Sequence, residues 1–85
     1  MHVTRKYRTP LAQWLVTERI KRGWSQQDLA QRARTSPTTI ASIEMGKPRT
    51  VRPATLHKLG VALEVPAEEL FELMRETEEM REDEL

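Results

Sequence analysis

The residues of this chain best suited to chemistry are cations and small hydroxyls, and they do not form a catalytic set. Lys47, Arg49 and Arg52 place three positive charges within six residues, and Arg5, Lys6 and Arg8 place three more near the start. Between them lie Ser36, Pro37, Thr38, Thr39 and Ser42, followed by Met45. A serine or threonine hydroxyl can give or take one hydrogen bond at a base edge or a phosphate, but none of these residues can make a bidentate purine contact. His2 and His57 lie far apart without acidic or cysteine companions at ligand spacing, so neither a metal site nor histidine catalysis is expected. There is no cysteine, which excludes disulfides, thiolate metal sites and a cysteine nucleophile. The carboxylates of the closing stretch RETEEMREDEL read as a solvated face. The pattern predicts no enzyme and no cofactor.

The charges are segregated. From Met1 to Pro53 there are eleven Lys/Arg against three Asp/Glu, a net +8; from Ala54 to Leu85 there are three against ten, a net −7. A basic half fits a polyanionic partner. The acidic half must then face away from that partner or serve another.

Eighty-five residues make one small domain whose core must come from a few well-packed helices. Met1 to Pro10 has no apolar run behind its basic residues, so no secretory signal is expected, and no stretch reaches the roughly 18 apolar residues of a membrane span. A cytoplasmic protein with no membrane contact is the expectation.

The punctuation is that of helices, and no segment alternates like a strand. Thr9-Pro10 is a cap followed by proline at the first helical position, and Leu11, Trp14, Leu15 and Val16 give an apolar stripe that Gly23 ends. Ser25, with Asp28 three residues on, caps a second helix whose Leu29, Ala30 and Ala33 face inward. Ser36-Pro37 starts a third, pinned by Ile40 and Ile43 and ended by Gly46. Arg52-Pro53 opens a fourth with Leu56, Leu59, Ala62 and Leu63. Pro66 starts a fifth through Leu70, Phe71 and Met74. Beyond Arg75 the acidic stretch either extends helix five or frays. The organisation predicted is a flexible basic arm over 1–9, a helical domain over 10–74 and an acidic tail or extension over 75–85.

Helices two and three are joined by two or three residues, too few for them to lie antiparallel, so they cross steeply. Ala30 allows close approach. Ile40 and Ile43 pin one face of the third helix, leaving Pro37, Thr38, Ser42 and Met45 free to enter a groove.

With Leu15, Arg19, Gly23, Ser25-Gln26, Leu29-Ala30, Ile40, Ile43-Glu44, Gly46-Lys47, Pro53, Leu56, Leu59, Ala62, Leu63 and Val65 in these places, the chain resembles the repressor/Cro-type helix-turn-helix regulators, also called xenobiotic-response-element-type regulators. The resemblance covers Leu11 to Phe71 and implies an all-α, compact five-helix bundle of the lambda-repressor-like kind. It implies sequence-specific binding of double-stranded DNA, and repression by a homodimer on a palindromic operator in a bacterial nucleoid or from a phage gene. By this likeness Ser36, Pro37, Thr38, Ser42 and Met45 face the groove, Gln26 and the Lys47–Arg52 loop meet phosphates, and Arg19 with Glu44 forms a partly buried structural ion pair. Thr39 is a further phosphate candidate. The family often has glycine in the turn where this chain has Arg34-Thr35. A positive φ at Arg34 would cost about 1 kcal/mol against glycine, offset by a guanidinium near a phosphate. Trp24 is expected as a staple between helices one and two. Leu70, Leu73 and Met80 are the candidates for a dimer surface. The alternative is an antitoxin or accessory module whose acidic C-terminal segment binds a partner protein. A third reading folds that segment back over the basic face.

Overall fold

The structure is a computed structural model that describes residues 9–48 and 50–84. Five α-helices follow one another: α1 (Pro10–Lys21), α2 (Gln26–Ala33), α3 (Pro37–Glu44), α4 (Pro53–Leu63) and α5 (Ala67–Glu84). No strand occurs among the described residues. The expected basic arm, residues 1–8, and Arg49 lie outside them.

The first three helices start as their caps dictate. The hydroxyls of Thr9, Ser25 and Ser36 accept the N–H of Ala12, Asp28 and Thr39, each satisfying one of the donors a helix start leaves open. In α2 the Asp28 carboxylate returns the bond by accepting the Ser25 N–H at 2.9 Å. That bond and the Ser25 hydroxyl hold the Asp28 carboxyl below the usual aspartate range. α4 differs: Arg52 precedes Pro53 and supplies no side-chain cap.

The ends of α1 to α4 share one device. The residue after the last turn turns left-handed, and the next N–H reaches back five residues: Trp24 to Arg19, Thr35 to Ala30, Lys47 to Ser42 and Val65 to Gly60, at 2.9–3.2 Å. Two of the four left-handed residues are Gly23 and Gly46, but the other two are Arg34 (φ 57°) and Glu64 (φ 59°). The strain expected at Arg34 is therefore present, and Glu64 repeats it at the end of α4.

The core is one cluster. Leu11 and Leu15 of α1, Leu29, Ala30 and Ala33 of α2, Ile40 and Ile43 of α3, Leu56, Leu59 and Leu63 of α4, and Leu70 and Met74 of α5 are buried, with Val51 from the α3–α4 loop. Trp14 and Trp24 pack against its edge. Trp24 also carries two guanidinium groups, Arg32 at 4.3 Å and Arg22 at 5.8 Å from its ring centre. Arg22 reaches further, donating to the Leu63 carbonyl at 2.8 Å, so the open end of α4 is closed by a residue from the end of α1. α4 and α5 meet at Gly60, where a Cβ would lie 2.9 Å from the Val65 carbonyl oxygen; only glycine allows that approach.

Helix α5 settles the acidic segment: it is helical through Glu84. It packs on α1 and α4. Thr77 is 3% exposed, accepts the Leu11 N–H at 3.0 Å and donates to the Leu73 carbonyl at 2.8 Å. Leu70, expected on a dimer surface, is fully buried and belongs to the core of this same chain. Leu73 is half-buried against that core, and Met80 is half-buried. Among the described residues, the large apolar side chains that stand in solvent are Ile20, Val61 and Phe71.

Candidate nucleic-acid interface

The third helix presents a bare face because Ile40, Ile43 and Glu44 consume the other one. Ser36, Pro37 and Thr38 are exposed at its start. Ser42 and Met45, four and seven residues after Thr38, share its side and are half-buried. Two hydroxyls on this helix are partly engaged. Ser36 Oγ accepts the Thr39 N–H at 3.1 Å and lies 2.9 Å from Thr39 Oγ1, so both residues hold the start of the helix. Thr38 and Ser42 are the less encumbered pair.

Beside this face runs a cleft of about 410 Å³ between α3 and the start of α4, lined by Thr38, Thr39, Ser42, Thr50, Arg52 and Thr55 among others. The uncapped start of α4 adds to it. The N–H groups of Ala54 and Thr55, in its first turn, have no side-chain acceptor, and the helix end carries a partial positive charge. Arg52 lines the cleft, and Arg34 and Lys47 stand at the turns that end α2 and α3; all three are exposed, and none of them has a carboxylate partner among the described residues. The described carboxylates that are paired lie on α1, α3 and α5. Sequence reasoning missed Lys58, whose Nζ lies 3.5 Å from the Arg34 carbonyl and adds a cation at the turn. Nothing local in the sequence marks it, since the contact spans 24 residues.

Behind the bare face lies the network that sets its angle. Glu44 is 5% exposed and accepts Arg19 Nε at 2.6 Å and Nη2 at 3.0 Å, a fork-on-fork pair. Arg19 Nη1 donates to the Trp24 carbonyl at 2.8 Å. The hydrogen bonds that Arg19 donates to Glu44 raise the Arg19 pKa above its already high ordinary value. The arrangement joins α1, the α1–α2 turn and α3 through one carboxylate.

Gln26 occupies a place the sequence did not foresee. Its Nε2 donates to Glu44 Oε1 at 2.9 Å, so the side chain is first of all a third donor to the buried carboxylate. It is half-buried rather than projecting. No group of three or more His, Asp or Glu among the described residues could hold a metal ion, and no described helix is long and apolar enough to cross a membrane.

The geometry offers one exposed helix face of small side chains, bordered by unpaired cations and by open backbone N–H groups. A comparison with curated proteins finds no match to the chain. A comparison with protein families matches the helix-turn-helix family over residues 15–70, which takes in α2, α3, α4 and the first turn of α5. Two short helices joined by a tight turn, with the second bare on one face, are the motif after which that family is named. The chain belongs to the Cro/XRE-type helix-turn-helix family and is a DNA-binding transcription regulator.

Proposed function

We propose that the chain is a repressor that binds a palindromic operator as a homodimer, with α3 of each copy in the major groove. The observation that carries the reading is the exposed face of α3 beside Arg34, Lys47, Arg52 and the uncapped start of α4. Thr38 and Ser42 read base edges. Ser36, Pro37 and Met45 add shape at the two ends of the helix. Lys47, Arg49, Arg52, Arg34 and Thr39 meet phosphates, and Gln26 adds what its second N–H can reach. Small readers give permissive base contacts, so DNA shape and backbone contacts supply much of the selectivity.

One module covers about one half-site, and two are needed for useful affinity, spaced by about one helical turn. With Leu70 buried, the surface best suited to pairing is the exposed Val61 of α4 and Phe71 of α5, since large solvent-facing apolar side chains mark contact regions.

Selection of duplexes from random sequence tests the reading directly. The expected outcome is a two-fold symmetric site whose affinity falls with salt at a log–log slope of about −5 to −7, from roughly five to eight neutralised phosphates per dimer. A flat salt dependence, or selected sites without symmetry, would contradict it. Val61→Asp with Phe71→Asp should halve the mass seen by sedimentation and weaken operator binding together.

A further inference from the structure

The loop between α3 and α4 carries Lys47 and Arg52, and backbone bonds hold it at both ends. Lys47 N–H bonds back to the Ser42 carbonyl at 3.1 Å, and the Arg52 carbonyl accepts the Leu56 N–H at 3.1 Å. Between them, among the described residues, Val51 is held. Its side chain is 8% exposed, and its N–H donates to Met74 Sδ at 3.4 Å, in the buried interior and 23 residues away. A buried backbone N–H nearly always finds an acceptor, and here the acceptor is a thioether, one of the weakest available. A void of about 10 Å³ beside it is bordered by Leu11, Ile43, Pro48, Val51, Met74 and Thr77, where α1, α3, the loop and α5 converge.

We propose that Met74 is a positioning residue for DNA binding: by holding the Val51 N–H it sets the height of the loop that presents Lys47 and Arg52 to the phosphates. The inference rests on the DNA-binding reading above. It gives α5, which is remote from the bare face of α3, a direct hold on the backbone that meets the nucleic acid. The weak, diffuse sulfur acceptor lets the loop adjust on docking without losing its anchor.

The test uses the full chain and a duplex selected by the wild type. Met74→Leu keeps the volume and removes the acceptor. The expected result is a folded protein whose Val51 amide exchanges about tenfold faster, while the Leu29 and Leu59 amides keep their protection. Its DNA affinity falls on the order of three- to tenfold. If the Val51 amide stays protected, or if it loses protection while affinity is unchanged, the proposal is overturned. Should M74L fail to fold, replacing the Val51 N–H by an ester oxygen removes the donor and leaves every side chain in place. That chain should show the same loss of affinity, and wild-type affinity there overturns the proposal. A wild type that binds no duplex overturns the DNA reading and this inference with it, whereas equal binding by wild type and M74L overturns this inference alone.

Discussion

Replacing Glu44 by alanine tests the network behind α3. The carboxylate accepts three charge-bearing or polar donors: Arg19 Nε, Arg19 Nη2 and Gln26 Nε2. It is 5% exposed and the Arg19 side chain 14%. Removing one partner of a buried pair leaves the other charge without compensation and costs about 3–5 kcal/mol. A domain of this size has about 4–13 kcal/mol of stability in all. E44A should therefore consume about a quarter of it or more and lower Tm by at least about 12 °C. Urea unfolding followed by tryptophan fluorescence measures the loss, because Trp14 and Trp24 both pack against the core and Trp24 sits beside Arg19. The double change Arg19→Met with Glu44→Leu removes both charges, and apolar residues often replace such a pair at little or no cost. It should recover most of the stability. A loss below about 1 kcal/mol in E44A, or additivity of R19M and E44L, would refute the reasoning.

Other substitutions probe the turns and caps. Arg34→Gly relieves the left-handed residue at φ 57° and should raise stability by up to about 1 kcal/mol in denaturant titration; if its DNA affinity is unchanged, the guanidinium has no phosphate to meet. Gly60→Ala should destabilise by about 1–2 kcal/mol in thermal unfolding, since its methyl meets the Val65 carbonyl and overpacking outweighs the better helix propensity. Asp28 has its folded pKa depressed, so its cap contribution is complete above the ordinary aspartate value of about 4 and disappears as pH falls through the folded pKa. Asp28→Ala should lose stability at neutral pH and converge on wild type in acid, and a carboxyl titration by NMR locates the window.

Much of the architecture could be read from short-range signals. Thr9, Ser25 and Ser36, each a few residues from the donor it satisfies, mark three helix starts, and apolar residues three and four apart mark the inward faces. The Arg19–Glu44 pair was also legible, although through family resemblance rather than spacing. What escaped depends on contacts between distant parts of the chain. An apolar stripe containing Leu70 looks the same whether it will cover its own α1 and α4 or a second copy. Gln26 stands where a helix start could meet a phosphate, and only the folded position of Glu44 shows which acceptor claims it. Thr77 holds α5 to α1, and its hydroxyl is useful because Leu11, 66 residues earlier, brings an open N–H beside it.

That bond between α1 and α5 also bears on the order of events in folding. The turns joining α2 to α3 and α4 to α5 close over a few residues, whereas the Leu11–Thr77 contact must close most of the chain, and loop-closure entropy delays such contacts until local structure exists. It therefore belongs to the late side of the barrier. Weakening it by Thr77→Val leaves the refolding rate nearly unchanged and speeds unfolding by about 5- to 160-fold, as about 1–3 kcal/mol for an orphaned buried N–H requires. The lifetime of the folded regulator is then set at the joint between its first helix and its last, where Leu11 and Thr77 line the same small void as Pro48 and Val51 of the α3–α4 loop.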